Sequence, residues 1–338
     1  MHTPPELRCP EDGQTLSPVA AGRVEDAREF VCARGCRFPV VGGIPRFVTS
    51  DNYASGFGLQ WKAFRKTQLD SHTATTISRD RLERCLGGSL EAVRGRRVLE
   101  VGCGAGRFTE LMLGAGAKLF ACDLSQAVEA NYDNCHDRGD YFVCQADARR
   151  LPVAPNSFDV VVCLGVIQHT PDPEEVINAL ARQVKPGGML VIDHYSYDYY
   201  HRLPQKILRR LLVRLPSATA KSAALAIARA LLPLHRATWN ERRGMWRVRR
   251  QLSRISPLID YYETYPQLGR KLLAEWAVLD THDTVTDYYK HLRSAEEIAA
   301  VLDSCGLTGI EVSYGGNGVE ARARMPLAAS PVGEEVRA

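Results

Sequence analysis

The stretch Arg97 to Phe108 reads RVLEVGCGAGRF, and it constrains the fold more than any other part of the chain. Val98, Leu99, Glu100 and Val101 make a short, almost wholly apolar run, the pattern of a strand buried on both faces of a parallel sheet. Gly102, Gly104 and Gly106 follow at alternate positions, and Phe108, Leu111, Met112 and Leu113 then take up helical spacing. Strand, glycine turn and helix is the opening unit of a doubly wound α/β sheet, in which ligands lie at the carboxyl ends of the strands. Glycine tolerates positive φ and has no side chain, so a ligand can rest against the backbone. The helix start offers unpaired N–H groups to a carboxylate or phosphate. The spacing is G-x-G-x-G and not the G-x-G-x-x-G of dinucleotide binding, which counts against a nicotinamide-dependent oxidoreductase.

The residues downstream repeat the alternation of strand and helix. Lys118 to Asp123 (KLFACD) predicts a second strand ending in a carboxylate, where such sheets reach a ribose diol. Asp123 equally suits the start of a helix at Ser125. Tyr141 to Cys144 predicts a third strand, followed by Ala146-Asp147-Ala148, and Phe158 to Leu164 a fourth, followed by Gly165-Val166-Ile167-Gln168-His169. Glu174 to Val184 reads as a helix with Asp172 as its cap. Lys185-Pro186-Gly187-Gly188 ends that helix and leads into a fifth strand, Met189 to Asp193. Ser294 and Glu297 form a capping box for a helix reaching Cys305. Thr308 to Ser313 and Val319 to Ala323 predict an antiparallel hairpin that closes the sheet.

From about Arg96 to His194 the chain resembles the class I S-adenosylmethionine-dependent methyltransferases, with a type 11-like core. The resemblance rests on VLEVGCGAG, Asp123, the Ala146-Asp147 pair, SFDVVVCLGVIQH and LARQVKPGGMLVI. It implies a doubly wound, seven-stranded Rossmann-like sheet and S-adenosylmethionine as the methyl donor. It also implies residue roles. Glu100 and the backbone of Gly102, Cys103, Gly104 and Gly106 would hold the methionine end. Asp123 would take the ribose hydroxyls, with Leu124 beside the adenine. Asp147 would receive the adenine amino group, with Ala148 adjacent, and Leu164 would supply backbone near the methionine moiety. His169 and His194, at the ends of the fourth and fifth strands, are the candidate general bases, and each is alternatively a pocket-wall residue.

The amino end has its own pattern. Cys9-Pro10-Glu11-Asp12 precedes a strand at Glu29 to Cys32, then Cys32-x3-Cys36 and Phe38-Pro-Val-Val-Gly-Gly-Ile-Pro45. This resembles the small zinc ribbons found ahead of some methyltransferases, with two departures: Asp12 replaces a cysteine and the second knuckle is C-x3-C. Three readings stand: zinc held by Cys9, Asp12, Cys32 and Cys36; a metal-free ribbon packed on Phe38, Ile44 and Phe47; or a disulfide, which a reducing compartment disfavours. Phe57, Trp61 and Phe64 recur at helical spacing. They read as a core face, or, through Gln60 and Trp61, as a cover on the cofactor.

The expected organisation is therefore a β-ribbon over 1–50 and a helical linker over 51–95 covering the cofactor site. The core takes 96–200 and 290–326, a helical cap 201–289, and a disordered tail 327–338. No apolar run is long enough to cross a bilayer and the first residues lack a secretory core, so a cytoplasmic protein without stable membrane insertion is expected. Net charge is +4, but His201 to Arg254 carries fourteen Lys and Arg against Glu241 alone, a local excess of +13 that leaves −9 elsewhere. That basic insertion reads as a lid over a substrate pocket, as a polyanion- or membrane-attracting face, or as a site for an acidic substrate. Tyr261, Tyr262, Tyr265, Trp276, Tyr288 and Tyr289, with His282-Asp283 among them, line a pocket or pack the insertion on the core. The leading functional expectation is methylation of a small molecule, with specialised metabolism as its setting. The alternatives are an RNA methyltransferase docking through the ribbon and insertion, and a non-catalytic cofactor-binding or activator protein. The acceptor, the atom methylated and the oligomeric state stay open.

Overall fold

The computed structural model describes residues 6–19, 27–49, 52–54, 64–198, 202–240, 244–316 and 318–327. Gln60 and Trp61, and the tail beyond Leu327, lie outside them. A seven-stranded sheet forms the centre. Its strands are β5 (Arg97–Val101), β6 (Lys118–Asp123), β7 (Tyr141–Gln145), β8 (Phe158–Cys163), β9 (Val184–His194), β10 (Thr308–Gly315) and β11 (Gly318–Arg324), in the order β10-β11-β9-β8-β5-β6-β7. The five strands β5 to β9 run parallel, and β11 and β10 join antiparallel at one side. The chain leaves β5 for β6 and β7 on one side and returns to β8 on the other. The crevice between the carboxyl ends of β5 and β8 is thus the topological switch point, where such sheets bind ligands.

Helices cover both faces. They are α1 (Asp70–Thr73), α2 (Ile77–Leu86), α3 (Thr109–Gly114), α4 (Ala127–Cys135), α5 (Pro173–Ala181) and, after the insertion, α10 (Ala295–Ser304). Val98, Leu99, Val160, Val161, Val162, Leu190 and Val191 are wholly buried, as strands covered on both faces require. Local chemistry sets the helix starts. Asp172 accepts the Glu175 N–H at 2.9 Å with Pro173 just inside α5, and Ser294 and Glu297 bond reciprocally at α10. The expected Arg79–Ala92 helix divides at Gly87, whose φ of 94° ends α2, and a 3-10 turn follows over Leu90–Val93. The last parallel strand starts earlier than Met189, since 184–188 pair irregularly with β8.

A four-stranded antiparallel ribbon, β1 (Ser17–Val19), β2 (Glu29–Val31), β3 (Arg37–Val41) and β4 (Ile44–Pro45), precedes the core. It sits beside β7: Arg46 bridges Gln145 in parallel register, the Phe47 N–H bonds the Gln145 carbonyl at 2.8 Å, and Arg46 pairs with Glu129 at 3.1 Å.

The insertion consists of α6 (Leu203–Leu212), α7 (Ser217–Ala237), α8 (Met245–Ile255) and α9 (Gly269–Thr286). Among the described residues, three small apolar cores hold it together. One gathers Trp239, Leu268, Leu273 and Trp276 around Ile77, another Ala228, Leu258, Ala277 and Val278, and the third Leu212, Ala220, Ala224 and Val285. His235 lies 2.9 Å from Asp260 and 2.9 Å from Ser256 Oγ; His235 and Ser256 are buried, and so is the carboxylate of the half-buried Asp260. The set has the make-up of a nucleophilic triad, but none of the three lines the molecule's main cavity. Ser256 Oγ also accepts the Leu258 N–H, so the group is a polar cross-link tying the end of α7 to the 256–260 loop.

Candidate active site

The glycine turn after β5 is fastened to the end of β6. The N–H groups of Gly102 and Cys103 both bond the Cys122 carbonyl, at 2.7 and 3.0 Å, and the Gly104 N–H bonds Asp123 Oδ2 at 3.0 Å. Gly102, Gly104 and Gly106 all have positive φ (76°, 49° and 101°). The added Cβ of any other residue at 102 would lie 2.1 Å from Val166 Cγ2, so the turn and the loop after β8 are in van der Waals contact. At Gly106 the obstacle is Cys135 Sγ at 2.8 Å, a packing demand from α4.

These loops border a cavity of about 510 Å3. One end is lined by the 101–105 turn, Asp123, Leu124, Ala146 and Ala148, with Tyr53 and Ala54 from the linker closing over it. Asp123 Oδ1 accepts both the backbone and the hydroxyl of Ser125, yet burial outweighs these bonds and raises its carboxyl above the usual range. The other end is lined by Leu164, Gly165, His169, Tyr195 and, from the insertion, Tyr261, Tyr265, Trp276, Asp280, Asp283 and Thr284. Of the aromatics in doubt between pocket and packing, Tyr261, Tyr265 and Trp276 line the cavity. Tyr262 stacks on Trp239, and Tyr289 packs edge-on to Tyr53.

Glu100, Gly106, Asp147 and His194 do not line the cavity. Glu100 is buried and accepts the Thr109 hydroxyl at 2.6 Å, and burial raises its carboxyl to about 8. Asp147 turns to Arg149, 2.7 Å away. His194 is buried with Nδ1 2.9 Å from the Tyr195 carbonyl, and burial depresses it to about 4, so its imidazole is neutral.

His169 ends a 3-10 turn, Ile167–His169, at the cavity wall. Its Nδ1 faces two acceptors, Asp287 Oδ2 at 3.2 Å and the Tyr289 carbonyl at 3.3 Å. Nδ1 is therefore assigned the proton and Nε2 the lone pair. Tyr195 meets the ring edge-on, with centroids 5.3 Å apart. Asp287 is buried among Lys290 at 2.8 Å and Arg209 of α6 at 2.8 Å. Burial pushes its carboxyl up, but Lys290, His169 and Arg209 outweigh burial and hold it at about 2. The sequence gives no sign of Asp287, which is remote from His169 along the chain. Nor does it point to Arg81, which pairs with Asp193 and borders the same end.

Asp280 accepts Tyr261 Oη–H at 2.5 Å and Gln68 Nε2–H at 3.3 Å. Burial, with the Asp283 charge adding to it, raises the Asp280 carboxyl to about 6 against the pull of Tyr261. The folded protein thus keeps this proton to a higher pH than the unfolded chain, whose Asp titrates near 4. The associated stability is full below about pH 4 and lost as pH passes about 6, a change of up to about 3 kcal/mol. Asp280→Asn is expected to raise the unfolding midpoint at pH 8 and to change it little at pH 4. Equal shifts at both pH values in thermal melts would refute this.

In the ribbon, ligand atoms of Cys9, Asp12, Cys32 and Cys36 all lie within 4.8 Å of one another, and all ten cysteines are free thiols. A tetrahedral zinc with bonds of about 2.3 Å separates its sulfur ligands by about 3.8 Å, so the donor set fits that ion.

Residues 99–192 match the family model described as a methyltransferase domain. The chain carries a class I S-adenosylmethionine-dependent methyltransferase domain. The chain is 41% identical over 98 residues to a ubiquinone biosynthesis O-methyltransferase of Thiobacillus denitrificans, a stretch covering 28% of this chain and 42% of that one. It is 33% identical over 144 residues to the protein of the same name from Alkalilimnicola ehrlichii, covering 42% and 55%. The chain thus spans about half the length of the curated relatives it matches. A solved N-methyltransferase NodS from Bradyrhizobium japonicum, in complex with S-adenosyl-L-homocysteine, aligns over 34% of this chain and 60% of its own at 25% identity and a TM-score of 0.31. The segment matched by the family model begins after the ribbon and ends before the insertion.

Proposed function

We propose that the protein methylates a hydroxyl group of a small acceptor, using S-adenosylmethionine. The observation that carries this reading is the pairing of His169 with the buried carboxylate of Asp287 at the cavity wall. S-adenosylmethionine supplies an electrophilic methyl group when bound. The backbone from Gly102 to Ala105, with Asp123, Leu124, Ala146 and Ala148, holds the donor at its end of the cavity. Asp123 would face the ribose, and Ala146 and Ala148 the base. Leu164, where the other end begins, would offer its backbone near the methionine moiety. His169 takes the proton of the acceptor hydroxyl on Nε2 as the oxygen attacks, and Asp287 balances the imidazolium that forms. Lys290 and Arg209 keep Asp287 anionic throughout. Trp276, Tyr265 and Tyr195 exclude water and position the acceptor, which can supply several kcal/mol of the rate enhancement. The O-methyltransferase names of the relatives support the choice of oxygen.

The test uses methyl-labelled S-adenosylmethionine, the purified protein and an extract of the source cells, with products separated into small-molecule, RNA and protein fractions. Label released from the small-molecule fraction as an O-methyl ether supports the reading. Label in RNA would replace it with the docking role of ribbon and insertion.

For the ribbon, the proposal is one structural zinc on Cys9, Asp12, Cys32 and Cys36. Elemental analysis should give about one zinc per chain, and Cys32→Ser with Cys36→Ser should remove it and lower the unfolding midpoint. A native protein with less than about a tenth of an equivalent would favour a ribbon held by packing of Phe38 on Phe47.

A further inference from the structure

The insertion turns an unusual face to solvent. Helix α6 exposes Leu203 (63%), Ile207 (53%) and Leu211 (58%) at four-residue spacing, and Leu215 continues the line beyond its end. Lys206, Arg210 and Arg214 form an exposed row beside them. The end of α8 is tied to the start of α6 by a hydrogen bond from Arg202 to the Ser253 carbonyl. That helix exposes Trp246, Val248 and Ile255 (75%) together with Arg247, Arg250 and Arg254. The described residues from Arg202 to Ile259 include no aspartate or glutamate. The opposite side of each helix is used inside the protein: Gln205, Leu212, Arg249 and Leu252 are buried. The helices are therefore fixed in orientation, and the apolar row is outward by construction.

We propose that the outer face of α6 and α8 docks the protein on the surface of an anionic lipid bilayer. Exposed leucine and isoleucine rows cost solubility unless something apolar covers them, and a surface helix with a basic flank and an apolar row lies naturally at a headgroup boundary. A tryptophan beside arginine is at home at that depth. Two other occupants fit less well. RNA would draw on the six cations but leave the apolar row uncovered. A two-fold dimer through the same patch would face six cations with six more, because such an interface is self-complementary. Docking is peripheral: among the described residues no helix is long and apolar enough to cross a membrane.

The experiment is co-sedimentation of the full-length protein with vesicles of phosphatidylcholine, alone or with about one-third phosphatidylglycerol. The protein is expected to bind the anionic vesicles at least about tenfold more strongly, and less so as salt rises. Ile207→Glu with Leu211→Glu should reduce binding by at least about tenfold, and Arg210→Gln and Arg214→Gln by about fivefold each. These positions are exposed, so the variants should keep the wild-type circular dichroism and melting point. Three results would each overturn the proposal. One is absence of vesicle binding. Another is equal binding by the apolar double variant. The last is binding to an RNA oligonucleotide, or a dimer broken by Ile207→Glu, in a protein that ignores vesicles. None of these readouts involves methyl transfer, so they stand or fall apart from the activity proposed above.

Discussion

Gly102→Ala is expected to weaken S-adenosylmethionine binding by at least about a hundredfold in calorimetric titration. Two effects act together. At φ 76° an alanine is strained by about 1–2 kcal/mol. Its Cβ would also lie 2.1 Å from one Val166 methyl carbon and 2.9 Å from the other. Relief requires the turn after β5 and the loop after β8 to part, and both border the cavity that would hold the donor. The double variant Gly102→Ala/Val166→Ala removes the obstructing methyls and leaves the strain. It should recover part of the affinity. Unchanged affinity in the single variant would take the glycine turn out of the binding site. A loss matched by general unfolding in circular dichroism would reduce the effect to stability.

His169→Ala is expected to lower kcat by about 10²- to 10⁴-fold while donor binding stays close to wild type. The donor end shares no side chain with His169, so the two readouts separate. Asp287→Asn should also slow turnover, because the amide can no longer balance the imidazolium, and it leaves Lys290 and Arg209 without their buried anion. His194→Ala should change kcat little, since that ring is turned into the core and neutral. A His169→Ala rate within about tenfold of wild type would leave the residue as a wall of the cavity and require the acceptor to be deprotonated otherwise.

The parallel sheet was legible because each strand is an apolar run with a glycine or acidic residue at its end. Lys118–Asp123 is matched to the residue, and the predicted hairpin pairs with β9 through β11. The residues given roles by motif position differ in where they lie. Asp123 and Leu124 border the cavity, whereas Glu100 is drawn to Thr109 and Asp147 to Arg149. Such choices depend on partners several strands or one turn away, which a motif does not encode. His169 could be picked out from its place after β8. Its partner Asp287 could not, because α9 brings it back from far along the chain with no local signature. The sequence led to the expectation of a helical cap over 201–289. What remained hidden was that one row on α6, Leu203, Ile207 and Leu211, points away from the core; periodicity identifies a stripe but not what it faces.

The ribbon's seat against β7 has a consequence for colloidal behaviour. A parallel sheet that stopped at β7 would present a row of unpaired backbone donors and acceptors, a template for adding strands from another molecule. The bridge from Arg46 and the bond from Phe47 occupy Gln145 on that strand. The amino-terminal ribbon thus shields the border of the sheet from self-association. A chain shortened to start after Phe47 would keep every donor-end residue named above except that it gives up this shield, and its first failure should be aggregation during concentration. If the proposed zinc sits on Cys9, Asp12, Cys32 and Cys36, its removal would loosen the same shield, and the ribbon's chemistry would bear on whether the protein stays dispersed, far from any methyl group.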